Sequence, residues 1–161
     1  PMLADDGLTR LEAHLARANP QLADLETGVE ALVIFQGPQV YVSPQWYPSK
    51  AEHGRAVPTW NYLMAEIRGT PRVIADPAWL RGHVSALTNR HEAGTPDPWA
   101  VTDAPERFLT GQIKGILGLE ITVTRIAGKW KASQNREARD REGVRLALGD
   151  HPFAAHIPQQ G

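Results

Sequence analysis

The 161-residue sequence contains no cysteine, and its formal net charge is only -1. The lack of thiols excludes disulfides, iron–sulfur clusters, zinc–thiolate sites and cysteine nucleophiles. The balanced charge argues against polyanion binding through the bulk charge of the chain. No apolar run approaches the length of a membrane span, and no signal peptide is visible. These absences predict a cytoplasmic protein that does not enter a membrane.

Motifs that commonly mark enzymes are also absent. The six histidines show no metal-binding spacing such as HExxH. The chain has no GxSxG elbow, no P-loop and no GxGxxG loop, and no nucleophile triad is visible. The sequence therefore identifies neither a catalytic residue nor a metal site.

The order of apolar segments predicts a β-rich α+β fold. Residues 8–15 fit either a helix or a strand, because their leucines satisfy both periods. Strands in meander order with helices inserted late favour a small antiparallel barrel decorated by peripheral helices. Strands are predicted at 31–35, 39–43, 56–69, 71–75 and 119–126, with an extended segment at 129–134, and helices at 20–28, 76–92, 105–117 and 136–148. The first two strands are expected to form a hairpin through the turn Gln36–Pro38.

The length suits one domain with its own core. We expect this domain to span residues 1–148 and residues 149–161 to form a solvated tail. The chain begins at Pro1, and residues 1–7 have the character of a strand end followed by a turn. We therefore expect further strands upstream of this chain, without which a site formed by them is incomplete.

The run VPTWNY at residues 57–62 concentrates aromatic and polar side chains in a strand-like segment. Because side chains alternate along a strand, Trp60 and Tyr62 share one face while Thr59 and Asn61 share the other. Aromatic rings beside amide and hydroxyl groups suit a planar ligand with polar edges, such as a flavin. The alternative is an ordinary strand with its aromatic residues in the core.

A second candidate site precedes the first predicted helix. Asn19 is a good N-cap and Pro20 suits the first helical turn. Free N–H groups at a helix start, together with His14 and Arg17, could bind phosphate oxygens. In the alternative reading, Asn19 only caps the helix and Arg17 is a solvated charge.

The segment KWKASQNR at residues 129–136 is the third polar cluster. Its cations can neutralise phosphate, and its amide and hydroxyl groups can bind phosphate, ribityl hydroxyls or the edge of a heterocycle. Ser133 or Asn135 could instead cap the charged helix that follows, and both interpretations are compatible. The residues concerned are Lys131, Ser133, Gln134 and Asn135.

Several motifs in order resemble PaiB-type FMN-binding negative transcriptional regulators, which are similar to flavin split barrels of the pyridoxamine-phosphate-oxidase type. The motifs are AHLARANPQ (13–21), GPQVYVSPQWY (37–47), VPTWNY (57–62), LTNRHE (87–92), KASQNR (131–136) and DREGV (140–144). The resemblance covers residues 1 to about 148.

The resemblance implies an antiparallel split β-barrel, a homodimer and FMN bound near the subunit interface. It places His14, Arg17 and Asn19 on the phosphate side of the cofactor. It places a second group around the cofactor or at the interface, comprising Trp60, Asn61, Lys131, Ser133, Gln134 and Asn135.

Three functions remain open at this point: an FMN-binding regulator, a flavin-dependent oxidoreductase or haem-binding enzyme, and a dimeric interaction module without flavin. Haem would use His14, His83 or His91 as ligands. No helix-turn-helix is recognisable, and acidic residues interrupt the cations of the helix at 136–148. Direct DNA contact is therefore possible but unsupported by the sequence.

Overall fold

A computed structural model describes residues 2–159 of the chain. In this part, five strands form one antiparallel sheet in the order β1-β2-β5-β4-β3. The strands are β1 (Leu3–Ala4), β2 (Arg10–Ala16), β3 (Ala31–Val42), β4 (Thr59–Ile74) and β5 (Ile116–Lys131). The helices are α1 (Gln21–Glu26), α2 (Lys50–His53), α3 (Pro77–Glu92), α4 (Glu106–Lys114) and α5 (Ala138–Leu148). The predicted β-rich α+β fold is confirmed.

The three long strands are continuous where the sequence predicts interruptions. β3 passes through Gly37 and Pro38, so the predicted hairpin is wrong. A Cβ at Gly37 would lie 3.1 Å from the Cβ of Leu63 in β4, so glycine here permits close approach of two strands. Proline is tolerated because β3 is the last strand in the sheet order and needs ladder bonds on one side only. β4 also continues past Gly69, and β5 continues past Gly128.

The ambiguous segment 8–15 contains a strand. β2 pairs antiparallel with β5, with Leu11 opposite Ile121 and His14 opposite Gly118. Leu11 and Ala13 are buried, whereas the alternate residues Glu12 and His14 are only partly buried. The alternation therefore directs an apolar set to one face of the strand and a titratable set to the other.

The contacts divide the chain into two units, and the three long strands run from one into the other. The first unit comprises Pro1–Val33 and Ile67–Arg125, and the second comprises Ile34–Glu66 and Ile126–Gly161. The first unit has two apolar clusters. One is formed by residues of β2, β4 and β5, including Leu11, Ile67 and Ile121, and the other by Leu80, Val101, Leu109 and Ile113 around α3 and α4.

The core of the second unit includes the segment after α5. Phe153 and Ile157 are buried in one cluster with Val42, Val144 and Leu148. The prediction of a solvated tail is therefore wrong for its described part. The nearly complete burial of Phe153 and Ile157 fixes a short 3-10 helix, Pro152–His156, against α5.

None of the helices between residues 2 and 159 combines the length and apolar character that crossing a bilayer requires.

Candidate functional site

A small pocket in the second unit brings together four of the nine site residues that the sequence predicts. Its volume is about 140 Å³. Among its lining side chains are two cations and no carboxylate. We call it the polar pocket, and it is lined by Tyr47, Val57, Pro58, Thr59, Asn61, Lys131, Ser133, Asn135 and Arg136.

Asn61 and Ser133 form the buried floor of the polar pocket. The Asn61 side chain is fully buried, and its Nδ2 donates to Ser133 Oγ at 2.8 Å. Ser133 has a φ of 61°, in the left-handed region that residues other than glycine rarely adopt. Such strain persists only where surrounding contacts fix it, and it concentrates at functional sites.

Two buried polar atoms of the pocket have no hydrogen-bond partner within residues 2–159. They are Asn61 Oδ1 and the hydroxyl of Tyr47. Burying an unpaired polar atom costs roughly 1–3 kcal/mol. Both atoms belong to side chains that line the pocket, so a ligand with complementary groups would recover that cost.

The two cations of the pocket are held by aromatic and hydroxyl neighbours. Lys131 Nζ donates to Thr59 Oγ1 at 2.6 Å and lies 6.0 Å from the ring centroid of Tyr62. The guanidinium of Arg136 lies 4.6 Å from the ring centroid of Tyr47. Cation–π contacts of this kind orient a cation without neutralising it. The pocket therefore presents positive charge to an acceptor-rich ligand.

A buried brace in the same unit fixes the walls of the pocket. Asp140 of α5 accepts from the backbone N–H of Ser49 at 3.0 Å and from its hydroxyl at 2.6 Å. Arg141, also buried, donates to the carbonyl of Arg136 at 2.8 Å. Tyr47 and Arg136 are therefore close in sequence to anchored residues, which limits movement of both walls.

The two remaining predicted residues of this unit lie elsewhere. Trp60 is 53% exposed and makes an edge-on contact with Tyr41, with centroids 6.3 Å apart. Gln134 folds back on its own turn: its Oε1 accepts from Ala132 N at 2.7 Å and its Nε2 donates to the Trp130 carbonyl. Neither side chain lines the polar pocket.

The prediction from sequence missed Tyr47, Thr59 and Arg136 as pocket residues. All three belong to motifs that were recognised, and Thr59 was expected on the same strand face as Asn61. Their roles depend on contacts between residues of different motifs, and the spacing of residues within one motif does not predict such contacts.

In the first unit, Arg17 is exposed and lines two cavities of about 420 and 380 Å³. Its Nε donates to the Lys114 carbonyl at 3.1 Å, at the C-terminal end of α4. Asn19 Oδ1 accepts from the N–H of Gln21 at 2.9 Å. Gln21 is the first residue of α1, whose N-cap is Pro20 with no side-chain cap bond, so the predicted N-cap role of Asn19 is wrong. The helix begins one residue later than predicted and has only six residues.

His14 belongs to a histidine cluster that we define as Glu12, His14, Trp79 and His83. His83 Nε2 lies 3.2 Å from His14 Nδ1, and the His83 ring stacks on Trp79 at 5.1 Å and 7°. Burial lowers the pKa of both histidines below the ordinary value. His91, the other predicted haem ligand, is exposed near the end of α3.

Comparison with known proteins gives a consistent family. Residues 1–125 match the family model described as "Putative FMN-binding domain". The chain is 31% identical over 151 residues to "Protease synthase and sporulation protein PAI 2" of Bacillus subtilis, covering 92% of this chain and 70% of that protein. It is also 34% identical over 172 residues to an uncharacterized protein of Emericella nidulans, covering 89% of this chain and 68% of that protein.

Solved structures share the fold at lower sequence identity. The structure of the FAD and heme binding protein from Mycobacterium smegmatis superposes with a TM-score of 0.53 and 21% identity, covering 81% of this chain. The Rv2991 protein of Mycobacterium tuberculosis gives a TM-score of 0.52 and 10% identity. This chain spans 63% and 64% of the lengths of these two proteins. The likeness confirms the predicted split-barrel fold.

Proposed function

The chain belongs to the FMN-binding domain family, and from this premise we propose that it binds FMN, with the polar pocket taking one edge of the flavin ring. The observation that carries the proposal is the pair of unpartnered buried atoms, Asn61 Oδ1 and Tyr47 Oη, beside two cations. Bound FMN would supply hydride or electron transfer.

The pyrimidine edge of a flavin matches the donors and acceptors of the pocket. That edge carries one N–H donor between two carbonyl acceptors. Asn61 Oδ1 is a free acceptor, and Lys131 and Arg136 are donors. At about 140 Å³ the pocket is smaller than the roughly 300 Å³ of a whole small-molecule site, so it suits an edge rather than the entire cofactor.

Independently of the polar pocket, Arg17 in the first unit is a candidate to contact the phosphate of FMN. Its guanidinium is exposed, and the carbonyls of Lys114 and Ile116 are its acceptors among residues 2–159. Lys114, Arg81 and Glu106 line one of the same cavities, and because Arg81 pairs with Glu106, the net positive charge comes from Arg17 and Lys114. A phosphate would offer Arg17 charged acceptors in place of neutral carbonyls, and such bonds are roughly twice as strong.

Titrations with two flavins test these assignments, since riboflavin lacks the phosphate. Asn61→Ala should weaken FMN and riboflavin alike, by about 10-fold for one lost hydrogen bond in a buried site. Arg17→Ala should weaken FMN at least 10-fold and leave riboflavin nearly unchanged. Arg107→Ala, at an exposed arginine of α4, is the matched control and should change neither. Absence of saturable binding by the unchanged protein would overturn the proposal and favour an interaction module without flavin.

We propose further that the protein is regulatory and acts through its flavin rather than by direct DNA contact. The exposed cations of α5 are neutralised within the second unit: Arg139 pairs with Glu52 and Glu137, and Arg145 pairs with Glu142. Paired side chains give few free charges for DNA phosphates. A salt-dependent affinity for promoter DNA that exceeds the affinity for unrelated DNA would contradict this indirect role.

A flavin-dependent oxidoreductase is the alternative function. Steady turnover of a nicotinamide donor by the FMN-loaded protein, abolished by Asn61→Ala, would favour the enzyme over the regulator.

A homodimer is proposed from the family resemblance and from the exposed apolar side chains of the second unit. Ile34, Phe35, Tyr41, Trp60 and Trp130 are all at least 40% exposed. Apolar side chains at this density commonly mark an interface. Light scattering should give a dimer mass, and Trp60→Ser should shift the equilibrium towards monomer; a monomer at every concentration would exclude the proposal.

A further inference from the structure

The histidine cluster is built where α3 lies on strands β2 and β5 of the first unit. Trp79 and His83 are one helical turn apart and share a face of α3. Trp79 covers Gly118, the residue that pairs with His14 across the sheet; a Cβ at Gly118 would lie less than 3.0 Å from the indole ring. The absence of a side chain at Gly118 thus creates the space that seats Trp79, and His83 stacks on Trp79.

The two oxygens of Glu12 have different partners. Oε1 lies 3.1 Å from Arg10 Nε, and Oε2 lies 3.8 Å from His83 Nδ1. The His83 side chain is fully buried, and its Nδ1 has no hydrogen-bond partner within residues 2–159. On the other side of the ring, Nε2 contacts His14 Nδ1 at 3.2 Å. A carboxylate and two imidazoles therefore form a chain across this face.

Electrostatics determine the proton positions along that chain. Burial lowers the pKa of both histidines, which favours the neutral form of both rings. A lone pair on His83 Nδ1 would face the Glu12 carboxylate and be repelled, whereas an N–H there is attracted. His83 then carries its proton on Nδ1 and accepts through Nε2. The contact with His14 is a hydrogen bond only if His14 Nδ1 donates.

We propose that Glu12 and His83 hold His14 in the Nδ1–H tautomer, so that His14 Nε2 presents a lone pair that accepts a hydrogen bond from a hydroxyl group of a ligand. His14 Nε2 has no hydrogen-bond partner within residues 2–159 and is not among the buried unpaired atoms of that part of the chain. The choice of ligand rests on the proposed FMN binding, because the ribityl chain of a flavin carries hydroxyl donors.

The proposal changes the role expected for His14. Its position in the motif AHLARANPQ places it on the phosphate side of the cofactor, where a positively charged donor would be suitable. A neutral ring with an outward lone pair is repelled by a phosphate dianion and attracted to a hydroxyl hydrogen. His14 is thereby distinguished from Arg17, whose guanidinium only donates.

The tautomer can be observed directly in the protein without flavin. Long-range ¹H–¹⁵N correlation spectra at pH 7.5 should give the Nδ1–H pattern for both His14 and His83, assigned with His14→Gln and His83→Gln. Glu12→Gln removes the negative charge and should increase the population of the Nε2–H tautomer of His14. Glu120→Gln is the matched control, because Glu120 lies opposite Glu12 but pairs with Arg72 at 2.9 Å and Arg10 at 3.8 Å, and with no histidine within residues 2–159. An Nε2–H pattern for His14 in the unchanged protein would overturn the proposal.

Flavin titrations test the ligand. His14→Ala should weaken FMN and riboflavin by the same factor, about 5- to 10-fold for one neutral hydrogen bond, and leave lumiflavin, which lacks the ribityl chain, unchanged. A loss confined to FMN would make His14 a phosphate contact and overturn the proposal. If no flavin binds the unchanged protein, the proposed function fails with the hydroxyl ligand, while the spectra still decide the tautomer.

Discussion

The two units hold their helices by different kinds of contact. In the first unit, the side chains of Trp79 and His83 attach α3 through Gly118 and His14. In the second unit, Gly143 of α5 lies directly against the backbone carbonyl of Trp46. α5 is also held by Asp140, which accepts two hydrogen bonds from Ser49.

The difference bears on how rigid each candidate site is. Side chains can change rotamer at modest cost, but a backbone carbonyl moves only with its whole segment. The polar pocket, whose walls adjoin the Trp46 and Ser49 segments, is therefore preorganised. The histidine cluster depends on stacked side chains and can adjust. Four substitutions test this comparison, and the largest effect is expected in the second unit.

Gly143→Ala should be the most disruptive change. A Cβ there would lie less than 3.0 Å from the Trp46 carbonyl oxygen, so α5 must shift. Overpacking of this kind costs about 3 kcal/mol or more where backbone must move. Urea unfolding measures the loss. Gly82→Ala in α3, where nothing lies within 4 Å, is the control and should be neutral or stabilising by up to about 1 kcal/mol. Equal effects of the two substitutions would contradict the backbone contact.

Asp140→Asn tests the buried brace. The substitution keeps the shape but removes the charge that two donors of Ser49 share. Bonds to a charged acceptor contribute roughly 1.5–3 kcal/mol, so the free energy of unfolding should fall by about 2 kcal/mol. Ser49→Ala removes only the hydroxyl bond and should cost about 1 kcal/mol. If Ser49→Ala were the costlier change, the carboxylate would not be the centre of the brace.

Gly118→Ala should destabilise the protein less than Gly143→Ala, because the new methyl group would meet a side chain and not the backbone. The indole of Trp79 would have to swing away from a new methyl group. We expect a loss of about 1–2 kcal/mol, accompanied by a change in Trp79 fluorescence, since the stacking on His83 is broken. Subtracting the spectrum of Trp79→Phe isolates that indole from the other four. An unchanged Trp79 signal would show that the ring is not seated on Gly118.

The sequence predicted the helices and strands well where periodicity was strong, and failed where glycine or proline had two possible meanings. The turn predicted at Gln36–Pro38 and the break predicted between residues 126 and 129 both fall within strands, β3 and β5. At Gly37 the deciding fact is the approach of Leu63, a contact between residues 26 positions apart that no local pattern contains. The Phe153–Ile157 pair was overlooked because histidine, proline and glutamine surround it.

The sequence predicts those features of the candidate site that depend on residues within a single motif. Thr59 and Asn61 share a strand face as alternation requires, and both line the polar pocket. The hydrogen bond between Asn61 and Ser133 joins residues 72 positions apart. The left-handed backbone conformation of Ser133 is imposed by the tertiary fold and not by the intrinsic preference of serine. Arg136 was noted as a cation, but its stacking on Tyr47 depends on tertiary structure.

The pH dependence of stability tests the histidine cluster, and we expect it to show the smallest of the four effects. Burial lowers the folded-state pKa of His83, and proximity to His14 adds to this effect while Glu12 opposes it. As pH falls through the ordinary histidine value of about 6.5, the unfolded chain therefore takes up protons that the folded chain does not. The folded state should lose stability between pH 7 and pH 5.5.

His83→Gln should flatten that slope, whereas His91→Gln, at an exposed position of the same helix, should leave it unchanged. Urea unfolding at three pH values gives the slopes, and NMR titration of the ring protons in the unchanged protein gives the pKa directly if the variant folds poorly. An ordinary or raised pKa for His83 would mean that Glu12 dominates burial, and the neutral chain from Glu12 to His14 would then be wrong. A lowered pKa would leave a neutral His83 as the positioning residue of an adjustable cluster, in contrast to the fixed walls of the polar pocket.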